Sequence, residues 1–412
     1  MASKDLIRVE QSRASVEQER ERAGRVRWSH VITLAALTAL GPLGTDLYLP
    51  ALPSLGNAFG ASLAATQLTL TSYIFGLAFG QLLIGSISDA RGRRGPLLIG
   101  LLLFMLVSLL CVVAPSIYSL NLLRFAQGLA GAAGIVLALA IARDLYEGDL
   151  LARTIGLLMG INALAPAIAP VLGGQLLLLL DWRGLFMCLG VFGLVLLVLA
   201  ARVFPESLPK EARQSGGLST SLKVFAGLSL NRAFMPFVWI SAAGFATGIT
   251  LISMTPFMLE GSFGLRPDQV SMVFGVNALA LAALSNVSAR LVGSLGARRL
   301  LRYGLVVHML GALSLILGAL VGLELWMLLL GMFLITASLG LIAPNTATLA
   351  MQVVDSQQAG SASALLGLLQ LLVGALLAPV IGLAGSSSAL PMACAIVACS
   401  LAAWLLLAFA RR

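Results

Sequence analysis

The 412-residue sequence carries little charge: Asp, Glu, Lys and Arg make up 10% of its residues, whereas apolar residues make up 59%. A soluble surface needs roughly a quarter to a third of its residues charged, so this composition excludes a soluble protein. The 4 cysteines stand in apolar stretches without paired spacing, which argues against a disulfide framework and a thiolate metal site. The sequence also lacks a G-x-x-x-x-G-K-[ST] phosphate-binding loop, so energy from ATP is not indicated.

In place of charge the sequence has long apolar runs, each near the ~20 residues that cross a bilayer as a helix. They predict an all-α, multi-pass membrane protein with twelve spans: 29–50, 66–88, 96–114, 118–142, 151–180, 184–204, 233–257, 268–290, 301–321, 324–347, 358–384 and 389–410. The predicted organisation is a tail, a six-helix bundle, a polar linker and a second six-helix bundle: 1–28, 29–204, 205–232 and 233–412.

The positions of Lys and Arg predict the orientation of these spans. If both termini are cytoplasmic, all of the 26 basic residues except Arg124, Arg183 and Arg266 fall in cytoplasmic segments. Such an asymmetry follows the positive-inside rule. The net charge of +9 is therefore interpreted as an orientation signal, and no nucleic-acid partner is expected.

The two sets of six spans resemble each other. Residues 169–173 (APVLG) recur as 378–382 (APVIG), and the pair Arg93-Arg94 recurs as Arg298-Arg299 at nearly the same offset. Duplication of a six-helix unit predicts two pseudo-symmetric bundles that rock around a central site, as in transporters. The alternative is a chance match between short apolar segments.

Two charged residues, Asp46 and Arg124, fall well inside predicted spans. A charge at membrane depth costs several kcal/mol, so a functional role is the default interpretation. The topology places both residues at similar depth in the first bundle. One hypothesis is a structural role, either as a static ion pair or with Asp46 simply reaching the outer interface. The other is a proton site, because apolar surroundings favour a neutral carboxyl and a nearby guanidinium favours a charged one.

Two further clusters have the composition of moving or closely packed parts. At the cytoplasmic end, Gly85 is expected to allow close approach, and an Asp89–Arg93–Asp144 network is expected to hold the inner gate shut when the cavity faces outward. The alternative is that the basic residues of this end, including Arg94 and Arg143, only set the topology. In span five, two helix distortions and a small-residue surface are predicted at Pro166, Pro170, Gly173 and Gly174.

Together these clusters resemble the major facilitator superfamily. Residues 85–94 (GSISDARGRR) are similar to its loop 2–3 signature, with Ala90 where an Arg often stands. Residues 123–128 (LRFAQG) resemble the span-four motif tied to proton coupling, and residues 156–174 resemble the antiporter motif, with Ala169 replacing a Gly. More narrowly, residues 45–53 (TDLYLPALP) and 143–146 (RDLY) resemble the Bcr/CflA group of drug:proton antiporters.

The resemblance implies a bacterial inner-membrane exporter, expected to be monomeric, that moves bicyclomycin- or amphenicol-like molecules outward in exchange for protons. It implies Asp46 and Arg124 as the coupling residues, with the proton as coupling ion and no cofactor, metal or enzymatic activity. Polar and aromatic positions inside the spans are expected to line the substrate cavity with Asp46: Tyr48, Tyr73, Gln127, Asn162, Trp239 and Asn277. A proton-coupled metabolite transporter on the same fold is the alternative.

Overall fold

The computed structural model describes residues 28–209, 211, 213, 225–321, 325–355, 358–383 and 390–410. Within these ranges the regular secondary structure is helical, without a strand. The predicted tail up to residue 27 lies outside the described residues, as do linker residues 210, 212 and 214–224.

The described part of the chain contains twelve helical segments that are long and apolar enough to cross a membrane, which confirms the twelve predicted spans. The first six long helices are α1 (Trp28–Asp46), α2 (Leu63–Arg91), α3 (Arg94–Val112), α4 (Ile117–Leu145), α5 (Gly148–Leu176) and α6 (Trp182–Val203). The last six are α7 (Met235–Phe263), α8 (Pro267–Leu295), α9 (Ala297–Val321), α10 (Leu325–Met351), α11 (Ala359–Gly382) and α12 (Leu390–Phe409).

The first span differs from its predicted bounds of 29–50. Helix α1 ends at Asp46 and is followed by a 3-10 helix, Leu49–Ala51, and a short α-helix, Leu52–Phe59. A proline stands in the first turn of each of these two short helices. Proline lacks a backbone N–H and is tolerated at a helix start, so it ends one helix and begins the next.

Local sequence signals set several helix ends. The Ser62 side chain accepts a hydrogen bond from the Ala65 N–H at 3.3 Å and begins α2, and Asp181 caps α6 in the same way. Helix α7 was predicted to end at 257, but it continues to Phe263 and contains Pro256 in its interior. It ends at Gly264, whose φ of 65° lies in the left-handed region that glycine adopts without steric cost.

Glycine allows helices α2 and α4 to pack backbone to backbone. A Cβ atom on Gly128 would collide with the Tyr73 carbonyl oxygen, and one on Gly76 would collide with that of Phe125. Farther along α4, a Cβ on Gly134 would lie 2.7 Å from the Leu37 carbonyl oxygen of α1. The small residues of α4 therefore serve helix packing.

Helices α1–α6 and α7–α12 are hydrogen-bonded to each other at one end only, as far as the described residues show. There the Thr71 hydroxyl donates to the Ala375 carbonyl oxygen at 2.7 Å, and the Gln67 amide lies 2.9 Å from the Met254 sulfur. We call the end where α2 begins and α11 finishes the closed end. The opposite end, with Arg91, Arg93 and Arg94, is called the basic end.

Gly174 at the closed end provides a test of this contact between the two bundles. A Cβ on Gly174 would collide with the Ser271 hydroxyl of α8, whereas one on Gly156 of the same helix would meet nothing within 4 Å. We expect Gly174→Val to separate the closed end. Spin labels at exposed Leu179 and Ser262 should move apart by several ångströms in electron-resonance distance measurements, in a background without native cysteines. The Gly156→Val control should keep the wild-type distance, and an unchanged distance in Gly174→Val would refute the contact.

Candidate functional site

A cavity of about 460 Å³ lies between the two bundles. From helices α1, α2 and α5 it is lined by polar side chains, namely Thr45, Asp46, Gln81 and Asn162. From helices α7, α8 and α11 the polar lining consists of Ser241, Ser285 and Gln370. The other lining residues are small or apolar, and Asp46 is the charged residue among them. The volume suits a drug-sized molecule.

The lining of α7 was missed by the sequence reasoning, although a signal existed. Ser241, Gly244, Gly248 and Ile252 face the cavity and recur at intervals of three or four residues. This spacing marks a single helix face. Small and polar residues on one face of an otherwise apolar span therefore indicated the cavity wall.

A second cavity of about 190 Å³ adjoins the first near the closed end. Its lining includes Asp46, Pro166, Pro170 and Asn277, and both Asp46 and Pro166 also line the larger cavity. Asp46 is 8% exposed, so its limited accessible surface lies at the junction of the two cavities.

Arg124 lies behind this cavity wall, fully buried inside the first bundle. Its guanidinium donates to the Gly44 carbonyl oxygen at 2.8 Å, to the Thr69 carbonyl oxygen at 3.4 Å and to Gln127 Oε1 at 2.5 Å. Gly44 is in the last turn of α1, where carbonyl groups have no partner within the helix and the helix dipole favours a cation. The end of α1 thus creates the acceptor that Arg124 uses.

Aromatic rings complete the surroundings of Arg124. The guanidinium carbon lies 4.3 Å from the ring centres of both Tyr48 and Tyr73 and 5.5 Å from that of Phe186. Cation–π contacts of a desolvated Arg are worth up to about 2 kcal/mol each. Together with three charge-assisted hydrogen bonds they offset part of the cost of burying this cation.

Helix α3 joins the same cluster through Gln127. The Gln127 amide donates to the Ser108 hydroxyl at 2.7 Å, and that hydroxyl donates to the Phe104 carbonyl oxygen. Arg124 on α4 is therefore connected to α1 and α2 directly and to α3 through one intermediate side chain.

The hypothesis of a static ion pair is wrong, because Asp46 and Arg124 form no ion pair in the described structure. Backbone carbonyls and rings surround the guanidinium, while the carboxyl faces the cavity. The two residues are nevertheless linked by the chain, since Gly44, which binds Arg124, is two residues before Asp46.

Four residues expected in the cavity lie elsewhere. Tyr48, Tyr73 and Gln127 are fully buried around Arg124 and line neither of the two cavities described above. Their polar groups bind Arg124 or a neighbouring helix instead. Trp239 is 42% exposed on α7, away from the residues that line the cavities, because the cavity face of this helix belongs to Ser241 and the small residues in register with it.

The basic end contains a network centred on Arg93. Its guanidinium forms ion pairs with Asp89 at 2.5 Å and with Asp144 at 3.2 Å, and it also donates to the Ser88 hydroxyl at 2.8 Å. The Ser207 hydroxyl donates to Asp144 at 2.8 Å. Helices α2 and α4 and the segment after α6 are joined here.

Glu206 is a second anchor at the basic end that the sequence reasoning did not identify. Its carboxylate accepts from the backbone N–H of Arg93 at 2.7 Å, of Arg94 at 3.4 Å and of Leu208 at 3.2 Å. Burial by itself raises the pKa of Glu206, but these backbone hydrogen bonds and the charge of Arg213 outweigh it and leave the pKa below its ordinary value of 4.5.

The Arg93 network does not connect the two bundles in this conformation. Its described partners all belong to α2, α4 or the segment that follows α6. The expected close approach at Gly85 is wrong here, because a Cβ on this residue would meet nothing within 4 Å. Arg143 is exposed, and Arg94 donates to the Ala201 carbonyl oxygen at 2.9 Å.

Two predicted positions in α5 do form close contacts at the closed end. A Cβ on Gly173 would collide with the Leu47 carbonyl oxygen, and one on Gly174 would collide with Ser271 of the second bundle. Helix α5 contains Pro166 and Pro170 in its interior, and both line a cavity.

The chain matches a known protein family and several named relatives. The family described as Major Facilitator Superfamily matches residues 34–379. The chain is 38% identical to an uncharacterized MFS-type transporter YdgK of Bacillus subtilis, covering 90% of this chain and 92% of the relative. It is 29% identical to a bicyclomycin resistance protein homolog of Haemophilus influenzae (90% and 92% covered). It is 31% identical to a chloramphenicol resistance protein of Pseudomonas aeruginosa (76% and 71% covered).

Solved structures support the same fold. The nucleoside transporter NupG, in a mutant form, superposes with a TM-score of 0.75 at 13% sequence identity, covering 92% of this chain and 98% of that one. At this identity the likeness concerns the fold alone.

The cluster around Arg124 predicts a large effect of a conservative substitution. Arg124→Lys keeps the charge, but a single ammonium cannot reach Gly44, Thr69 and Gln127 in the fixed geometry of a guanidinium. We expect a loss of about 1–3 kcal/mol in unfolding free energy from buried acceptors left unpaired. Denaturation in mixed detergent micelles measures it. Arg183→Lys is the control for the aromatic contact, because Arg183 lies over the Trp182 ring at 4.2 Å. Equal losses of unfolding free energy in both variants would contradict the hydrogen bonds assigned to Arg124.

Glu206 predicts a pH dependence. Because its folded-state pKa is lowered, its stabilising contribution is complete above its ordinary value of 4.5 and is lost as the pH falls through the folded-state value. The difference in unfolding free energy between wild type and Glu206→Gln should be constant from about pH 7 to 5 and should shrink on further acidification. Glu147→Gln is the control, because exposed Glu147 caps no helix with its side chain. A difference independent of pH would count against the proposed hydrogen bonds.

Proposed function

Because this multi-pass membrane protein belongs to the major facilitator superfamily, we propose that it is a secondary active exporter that exchanges drug-like molecules for protons. Its family and its relatives are transporters, so it is not an enzyme. Relatives named for resistance to bicyclomycin and chloramphenicol support small, neutral antibiotics as the substrate class. The bacterial inner membrane is the proposed location.

The observation that carries this proposal is the position of Asp46. It is the charged residue among those lining the main cavity, and it has no ion-pair partner in the described structure. A carboxyl group in this position can change its charge without breaking a salt bridge. It is therefore suited to carry a proton between the two sides of the membrane.

The contacts between the bundles support alternating access. The two bundles are held together at the closed end, which the distribution of basic residues assigns to the outside of the cell. In this conformation the cavity is therefore assigned to the cytoplasmic side, from which an exporter takes its substrate. Rocking of the bundles would break the closed end and expose the same cavity to the outside.

The exchange then follows because substrate and proton compete at the same cavity. Substrate enters from the cytoplasm and favours the deprotonated form of Asp46. After the bundles rock, a proton from outside loads Asp46 and the substrate leaves. Arg124 contributes a fixed positive charge behind the wall, and its bond to Gly44 keeps the end of α1 in place.

The energy of one proton is sufficient for useful export. Movement of one charge through 100 mV is worth ~2.3 kcal/mol. One unit of pH difference adds ~1.4 kcal/mol. Together these support roughly a hundredfold or larger concentration ratio of a neutral substrate.

The test is Asp46→Asn, which keeps the shape of the side chain and removes its proton exchange. In a host without its own pumps, wild type should raise resistance to chloramphenicol or bicyclomycin above that of the empty host. Asp46→Asn should abolish this resistance and also the proton release that substrate causes in purified protein. Asp149→Asn is the control, because Asp149 is an exposed residue in the first turn of α5.

Two results would contradict the proposal. Substrate-driven proton release that persists in Asp46→Asn would remove Asp46 from coupling. Unchanged resistance across a broad antibiotic panel in cells expressing wild type would favour the proton-coupled metabolite transporter.

A further inference from the structure

The wall of the cavity opposite Asp46 contains a chain of hydrogen-bonding groups. Gln370 Nε2 lies 2.5 Å from Ser241 Oγ, and Thr346 Oγ1 lies 3.1 Å from the same oxygen. Thr346 Oγ1 is also 2.8 Å from the Ile342 carbonyl oxygen. Gln370 and Ser241 line the cavity, whereas Thr346 is fully buried behind them.

The Ser241 hydroxyl oxygen is the acceptor at the centre of this chain. The Gln370 amide N–H and the Thr346 hydroxyl both donate to it. The Thr346 hydroxyl also lies 2.8 Å from the Ile342 carbonyl oxygen and 3.0 Å from that of Ala343. Ser241 therefore connects Gln370 on α11 with Thr346 on α10.

The hydrogen bond to Ser241 sets the orientation of the Gln370 amide. Its nitrogen is turned to Ser241, so its carbonyl oxygen, Oε1, is the remaining acceptor. Among the hydrogen bonds of the described residues none uses this oxygen, and it does not belong to the buried atoms left without a partner. Since Gln370 lines the cavity, Oε1 is accessible to a bound molecule.

Asp46 and Gln370 thus place hydrogen-bond acceptors on opposite walls. The described residues that line this cavity include no Lys, Arg or His. An anion would find no cation to compensate it, whereas a neutral or cationic molecule with hydroxyl or amide N–H groups would find partners on both walls.

Building on the function proposed above, we propose that Gln370 is a specificity-determining residue that accepts a hydrogen bond from a hydroxyl group of the substrate. Ser241 and Thr346 are positioning residues that hold its amide in the accepting orientation. The substrate class is accordingly neutral or cationic molecules rich in hydroxyl and amide donors.

Thiamphenicol and florfenicol form a matched pair of probes, since they differ by replacement of one hydroxyl group with fluorine. In vesicles with an imposed pH gradient, wild type should carry thiamphenicol with the lower KM. Gln370→Leu should raise the KM for thiamphenicol about fivefold, which corresponds to the loss of one hydrogen bond. It should change the KM for florfenicol little. Gln175→Leu is the control, because Gln175 is exposed and outside the cavity lining.

Ser241→Ala is a second variant in case Gln370→Leu does not fold. It keeps Gln370 but frees its amide to rotate. The ratio of the two KM values should therefore move toward equality by about twofold, the same direction as in Gln370→Leu. Equal losses for both probes in these variants, or unchanged discrimination, would overturn the role of Gln370 while leaving export intact. If wild type carried neither probe, the proposed amphenicol substrates would be wrong, and so would the role proposed for Gln370.

Discussion

The buried guanidinium of Arg124 is the interaction on which the first bundle depends. A cation in an apolar bundle is tolerated only if its donors are paired, and here the partners are the Gly44 and Thr69 carbonyl oxygens and Gln127. These bonds fix the end of α1 against α2 and α4. The break in α1 after Asp46 is part of the same arrangement, since an uninterrupted helix would use the Gly44 carbonyl itself.

Because Arg124 is satisfied by the backbone, Asp46 is left free to face the cavity. An ion pair between them would have neutralised both charges and drawn the carboxyl away from the cavity. The backbone carbonyl that binds the Arg124 guanidinium belongs to Gly44, two residues before Asp46, so the cation and the carboxyl are linked without forming an ion pair. The hydroxyl and amide groups of the opposite wall belong to the second bundle, so the rocking proposed above would change both walls of the cavity together.

Much of the fold could be predicted from the sequence because membrane spans depend on local composition. Twelve apolar runs correspond to twelve helical segments in the described part of the chain, and the small residues of α5 indicated close helix contacts. The site could be predicted only in part. Asp46, Asn162 and Asn277 line the cavities, whereas Tyr48 and Tyr73 enclose Arg124, because the side on which an aromatic residue lies depends on the neighbouring helices.

The sequence alone determined the membrane class, the number of spans and the presence of an acid and a base at membrane depth, because each depends on hydropathy and charge along the chain. Only the tertiary structure decided which groups these charges meet. It assigned Arg124 to backbone carbonyls, Asp46 to the cavity and Glu206 to the N–H groups of Arg93 and Arg94. Such partners come from segments distant in the chain, and backbone carbonyl and N–H groups are common to nearly all residues, so no residue type marks them.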